Sequence, residues 1–434
     1  MLINNFSSSA GKLKKSGATV ICHATEGISM LHNVHAHLYC FRNLFLAVVC
    51  CSTLLSAGCC AGNKLLLPTL NGTPPIVVAH RGASGYLPEE TLEAYKKAID
   101  LGADVIEFDL ISTRDGVLIA RHDPNLATST DVVSHPEFAS RKKTTQVDGE
   151  IQTGWFASDF TLAEIKTLGA IAIDSERPQQ YNGIYKIVTF QELIDLAKTQ
   201  SSATGRTIAL YPETKNPTYH RDLGLPLEDK VIDHINKAGW NSKNAPVYVQ
   251  SFEPGSLKYM KSKGLNTRLI QLVDADNVDL KTGSLIFVAP LDKPYDWAKA
   301  GDSRLFSSMV TPAGLAEIKT YADGIGPWKR YIITLRSCLD ANSNLKEMSS
   351  TSAMNDSDSN SQPLTTLVDD AHKAGLLVHP YTFRNEQRRL ANDYEGDPFN
   401  EYLVFYRLGV DGVFSDFTDT AVTARSMYLK EMGR

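Results

Sequence analysis

Glu107 and Asp109 stand two residues apart inside an apolar run, and residues so spaced on a β-strand point to the same face. Two carboxylates aimed at an interior need a cation, because a buried anion otherwise pays a large desolvation cost or takes up a proton. A bound metal or a permanent basic neighbour answers that need, and one basic side chain does not balance both acids. Groups suited to proton transfer lie nearby in the chain. His80-Arg81-Gly82 ends the apolar run that starts at Ile76, and His122-Asp123 closes the run that starts at Val117. Histidine serves as base or acid near neutral pH, arginine offers a forked pair of donors to a phosphate, and lysine offers a point charge. Glu213 and Lys215 repeat the two-residue spacing further on, and by themselves they read equally well as an ion pair at a strand end.

Position decides whether these groups meet. Asp115-Gly116 is a favoured two-residue hairpin turn, and as the whole loop it predicts Arg114 opposite Val117 and Asp109 opposite His122. A bulge would shift that register by one residue. Beyond it, amphipathic helices ending in glycine alternate with short apolar strands. The strands fall at Ile76–His80, Val105–Leu110, Thr207–Tyr211, Val247–Phe252, Arg268–Val273, Gly324–Gly326, Leu376–Tyr381 and Gly412–Ser415. Such alternation implies a buried parallel sheet, and eight such units suit an α/β TIM (β/α)8 barrel with its chemistry at the strand C-terminal ends. His80, Glu107, Asp109 and Glu213 all fall at those ends. Pro124–Val188 is a polar inserted subdomain after the second-strand hairpin, and Ala341–Pro363, rich in Ser, Asn and Asp, reads as a mobile loop.

At 434 residues with a net charge of -5, the chain has no basic stripe to follow a phosphate backbone, which excludes nucleic acid as the expected partner. Six of the seven cysteines precede residue 61, so Cys338 has no partner in the main body. Arg42 and the apolar run Leu44–Ala57 read as an export signal, too short for a comfortable membrane span. Residues 1–62 are therefore expected to be a leader, with Met30 a candidate start, and 63–434 the working domain. Leu55-Ser56-Ala57-Gly58-Cys59 resembles a lipoprotein cleavage site, in which Cys59 would carry a membrane tether. A periplasmic or secreted location follows as an expectation.

With those residues in view, the chain resembles the glycerophosphodiester phosphodiesterase family, and within it the bacterial periplasmic branch. The likeness rests on Ala79 to Glu89, Gly102-Ala103-Asp104, Glu107-Phe108-Asp109, Asp115-Gly116, His122-Asp123 and Tyr211 to Lys215. It continues through Gln250-Ser251-Phe252, Tyr321 to Pro327, His379 to Thr382 and Ser415-Asp416-Phe417, so it covers residues 76 to about 422 in order. The resemblance implies a TIM barrel with an inserted subdomain that cuts small-molecule glycerophosphodiesters into sn-glycerol 3-phosphate and an alcohol. It implies that Glu107, Asp109 and Glu213 hold a divalent ion, that His80 and His122 share the acid and base steps in an order left open, and that Arg81 and Lys215 face the phosphate. Such an all-carboxylate ligand set favours a hard ion, Ca²⁺ or Mg²⁺, and export tilts the choice to Ca²⁺. One departure stands out: Pro88-Glu89-Glu90-Thr91 has Glu90 where many relatives have asparagine.

Two other readings fit parts of the pattern. A phospholipase-like barrel would use two histidines on lipid or inositol phosphodiesters, although its relatives often carry basic residues where this chain has acids. A non-catalytic surface barrel would bind a partner, against which stands the full acid, base and metal complement. His379 and Asp416 read as mainly structural, Trp155 and Trp328 as packing, and His135 and His220 as solvated loop residues.

Overall fold

A computed structural model describes residues 66–338 and 355–434. The leader, the apolar run and Cys59 lie outside the described residues. Among the described residues fifteen strands follow in chain order. They are β1 (Ile76–Ala79), β2 (Val105–Ser112), β3 (Leu118–Ala120), β4 (Lys143–Val147), β5 (Glu150–Gly154), β6 (Ala209–Thr214), β7 (Tyr248–Ser251) and β8 (Arg268–Val273), then β9 (Asn277–Asp279), β10 (Ser284–Ile286), β11 (Gly324–Pro327), β12 (Leu335–Ser337), β13 (Ser359–Ser361), β14 (Leu377–Val378) and β15 (Gly412–Ser415).

The main sheet runs β14-β11-β8-β7-β6-β2-β1-β15, all parallel, with β3 attached antiparallel to β2. Across the remaining seam Asp411 N donates to Val378 O at 2.9 Å and Phe414 N to Pro380 O at 3.1 Å, which brings β15 against the chain around β14 and closes the barrel. The fold is a TIM barrel. Every residue of β2 and β6 is buried, as strands covered by side chains inside and helices outside must be. Helices such as Leu92–Asp100 and Phe190–Thr204 start at threonine caps, Thr91 and Thr189, the latter in a capping box with Glu192.

The hairpin differs from its expected register. Leu110 pairs with Ala120 and Ser112 with Leu118, so the loop holds Arg114, Asp115 and Gly116, and Asp109 falls opposite Arg121 instead of His122. Gly116 takes φ +80°, the left-handed third position of a bulged turn, and Thr113 Oγ1 binds Asp115 Oδ1 at 2.6 Å across it. Arg121 is fully buried, spending its guanidinium on the carbonyls of Glu89, Glu90 and Ser129. His122 therefore leaves the end of β3 toward the barrel mouth.

Between β3 and the helix Phe190–Thr204, the chain builds short turns and the β4–β5 hairpin around a separate apolar cluster that includes Leu126, Phe138, Trp155 and Phe160. Trp155 packs there, its Nε1 donating to Phe138 O at 2.7 Å. Part of the expected mobile loop is ordered: Asn355–Ser361 forms a turn and β13, which pairs antiparallel with β12. Its polar residues find partners, Asp356 on the buried Arg330 and Ser361 on Asp393, which is how so apolar-poor a segment is held. Residues 341–354 lie outside the described residues.

Candidate active site

The β1 end carries His80, Arg81 and Gly82. Arg81 and Gly82 both have positive φ, and a Cβ on Gly82 would sit 2.8 Å from the Ala94 carbonyl carbon, so only glycine lets this turn pack on the following helix. Left-handed Arg81 turns its backbone N–H onto Glu107 Oε2 at 2.9 Å, and its guanidinium reaches Asp109 at 3.1 Å and Glu89 at 3.2 Å. Parallel pairing sets Asp109 beside Glu213 in register and Glu213 beside Gln250, whose Nε2 donates to Glu107 Oε1 at 3.0 Å.

Glu107, Asp109 and Glu213 thus converge, with one oxygen from each lying within 4.8 Å of the others and all three buried. Asp109 Oδ2 and Glu213 Oε1 have no hydrogen-bond donor, although Arg81 and Lys215 Nζ, 3.4 Å from Glu213, supply charge. Burial and the neighbouring acids push Glu107 well above the usual carboxylate range; burial and Asp109 likewise raise Glu213 to about 8. Burial works the same way on Asp109, but Lys215 and Arg81 outweigh it and hold that carboxyl well below the range. Two cations would not neutralise the triad with all three carboxyls ionised. An all-oxygen cluster with orphan oxygens, two of whose acids are raised for want of positive charge, fits a hard divalent ion.

Behind the triad sits Glu90, the departure from the family pattern. It is wholly buried at φ +60°, accepts the Asp109 amide on Oε1 at 2.9 Å and the Tyr95 hydroxyl on Oε2, and burial with Asp109 pushes its carboxyl well above the usual range. A neutral carboxyl here supplies the same acceptor an amide would.

Each histidine is held through Nδ1. His80 Nδ1 meets Asp416 Oδ1 at 2.6 Å, while Asp416 Oδ2 accepts Arg177 Nη2 at 2.5 Å and Arg384 Nε at 2.8 Å. Burial followed by Arg81 lowers the His80 pKa, against the upward pull of Asp416. His122 Nδ1 meets Asp123 at 2.9 Å, and Lys215 Nζ donates to His122 Nε2 at 3.0 Å. Burial opposes the charge on Asp123, yet His122 and Lys215 keep its carboxyl well below the usual range. All seven candidates named from the sequence line one cavity of about 520 Å³ at the strand C-terminal ends, together with Phe252, Trp328 and Tyr381.

The glycerophosphoryl diester phosphodiesterase family model matches residues 80–420. The chain belongs to that family. A glycerophosphodiester phosphodiesterase of Arabidopsis thaliana is 36% identical over 84% of this chain and 92% of its own length, and one of Haemophilus influenzae is 29% identical over 88% and 97%. The fold matches a crystal structure from Silicibacter pomeroyi assigned to the same activity, with a TM-score of 0.52 and 19% identity over 85% of this chain and 98% of that one. Glycerophosphoryl diester phosphodiesterases depend on a metal ion, and Glu107, Asp109 and Glu213 are the group that could hold one among the described residues.

The site holds residues whose sequence context points elsewhere. Asp416, structural by its sequence reading, holds His80. Trp328, a packing residue by the same reading, lines the cavity. Outside the cavity, His220 is fully buried instead of solvated, with neither ring nitrogen partnered and its pKa lowered to about 3 by burial and then Lys230. The strand-end position of Asp416 was the available signal. Arg177 had none, since it lies in the polar insert and reaches Asp416 only through the fold.

Proposed function

We propose that this protein hydrolyses glycerophosphodiesters to sn-glycerol 3-phosphate and an alcohol, with Glu107, Asp109 and Glu213 holding Ca²⁺ or Mg²⁺ and His80 and His122 moving the protons. The observation that carries this reading is the convergence of three buried carboxylates with two carboxylate-held imidazoles in a single cavity. A divalent ion, when bound, offsets charge on a non-bridging phosphate oxygen. Arg81 and Lys215, poised beside the triad, bind and orient the phosphate as a fork and a point charge.

Because Nδ1 of each imidazole is committed to Asp416 or Asp123, Nε2 is the working nitrogen of both, that of His122 once Lys215 Nζ, 3.0 Å away, turns from it to the phosphate. One takes the proton of the attacking oxygen as its bond to phosphorus forms, and the other protonates the departing alkoxide, since in-line displacement needs the two on opposite sides. The inserted segment supplies Val147, Asp148, Glu150 and Gln152 to the cavity and so shapes entry of the alcohol. Export, with Cys59 as a lipid attachment point, is the companion proposal, supported by the run Leu44–Ala57 and tested by the intact mass of the mature protein.

The purified protein should release glycerol 3-phosphate from glycerophosphocholine, lose that activity in chelator and regain it with Ca²⁺ or Mg²⁺. His80→Ala should cost roughly 100-fold or more in kcat. Full activity in that variant refutes the assignment.

A further inference from the structure

The loops after β11 and β14 crowd cations into the same cavity: Lys329, Arg330, Arg384 and Arg389 all line it. Most have acids of their own. Lys329 Nζ binds Glu401 at 2.8 Å, Arg330 Nη2 binds Asp356 at 2.6 Å, and Arg384 Nε binds Asp416 at 2.8 Å. Arg177, beside them, is taken by Asp416 and Glu386. The Arg389 side chain makes no hydrogen bond or ion pair among the described residues, and its buried Nε has no acceptor. Buried Arg330 leaves Nη1 equally without one, the Glu401 oxygen standing off at 3.8 Å. Burial, then the like charges of Arg384 and Arg388, lower the Arg389 pKa, with Asp356 and Asp174 as the opposing acids.

Guanidinium N–H groups left buried and unmet in side chains that line a cavity are costly unless a rearrangement around an entering group supplies an acceptor. Arg384 ties this place to the reaction centre, since it shares Asp416 with His80. Apart from Asp356, which Arg330 already engages, the acids of the cavity lie on other loops, among them Glu253 after β7, Asp274 after β8 and Asp148 in the β4–β5 turn. A second anion therefore has one sector to occupy, and forked arginine donors suit a carboxylate or a phosphate.

We propose that Arg330, Arg384 and Arg389 form a subsite for a second negative group on the substrate. In glycerophosphodiesters the glycerol half carries only hydroxyls, so that group belongs to the alcohol. This assignment rests on the hydrolase reading above and deepens it: the preferred substrates have an anionic alcohol, bearing either a carboxylate or a further phosphate.

The test measures kcat/KM for glycerol 3-phosphate release from glycerophosphoserine, which carries a carboxylate, from bis(glycerophospho)glycerol, which carries a second phosphate, and from glycerophosphocholine, which carries neither. One or both anionic substrates should lead, and the arm that leads identifies the source of the charge. Arg389→Gln should lower the ratio of the leading anionic substrate to glycerophosphocholine by roughly 10-fold, and Arg389→Lys should retain most of that ratio. Wild-type preference for glycerophosphocholine, or an equal fall on every substrate in Arg389→Gln, overturns the subsite while leaving the hydrolase in place. Absence of product from every substrate removes the hydrolase reading, and the subsite with it.

Discussion

At the scale of single residues, the pairing of His80 with Asp416 makes a prediction of definite sign. Asp416 raises the proton affinity of His80, while burial and Arg81 lower it. Asp416→Asn removes the upward pull, so the acidic limb of the kcat/KM–pH profile should move to lower pH. The plateau should fall roughly 100-fold as the imidazole loses its orienting acceptor. An unmoved limb would separate His80 from the rate. The triad makes a second prediction, independent of turnover. A site that binds Ca²⁺ only when folded should stabilise the protein by about 2.7 kcal/mol at a free ion concentration of about 100 times Kd. Glu213→Gln should abolish the thermal shift, and a shift that persists would place the ion elsewhere.

Elements carry different consequences. Gly116 holds the hairpin turn at φ +80°, and its Cβ position is open except for the mobile end of Lys230, 2.8 Å away. Gly116→Ala should therefore cost about 1–2 kcal/mol of backbone strain, read from the midpoint of chemical denaturation. The inserted segment reaches the His80–Asp416 pair through Arg177, which also lies over the Phe417 ring and donates to the Ser84 carbonyl at 3.2 Å. Arg177→Ala should lower kcat by about 10-fold with little change in KM, because it frees Asp416 on one side without touching the substrate. Arg177→Lys should recover part of the loss, and an effect confined to KM would return the insert to a role in access alone. Strand positions at this scale were legible from apolar runs and glycine punctuation, and the register of the hairpin was not. A two-residue and a bulged three-residue loop contain the same Asp-Gly, and the choice depends on the Thr113–Asp115 bond and on Leu162 N, which also binds the Asp115 carboxylate at 3.0 Å.

For the molecule as a whole, buried carboxylates link stability to pH. Glu213 and Glu253 both have pKa values raised to about 8, in each case chiefly by burial. Each bound proton is fully retained in both states below the unfolded value of about 4.5, so their contribution is present there and is lost as pH rises through 8. The carboxylates held low, Asp109, Asp123 and Asp416, work in the opposite sense but below that window. In chelator the melting temperature should fall between about pH 5 and 8. Ca²⁺ should shrink the fall by taking over the charge of the triad, whereas Glu253→Gln should shrink it without added ion. A flat profile in chelator would mean that other groups dominate.

The chain alone determined which chemistry was within reach. Period-two spacing of Glu107 with Asp109, strand-end histidines and the alternation of helices with buried strands are local properties, written into short stretches and readable there. The tertiary structure decided how those groups are held. Asp416 meets His80 across 336 residues and Arg177 meets Asp416 across 239, and no local pattern encodes contacts made by barrel closure and by an insert folded back over the mouth. The unpaired state of Arg389 belongs to the same class, since whether a cation finds an acid depends on every loop that converges on the cavity. Spacing fixes the direction in which a side chain points; only packing fixes what it finds there.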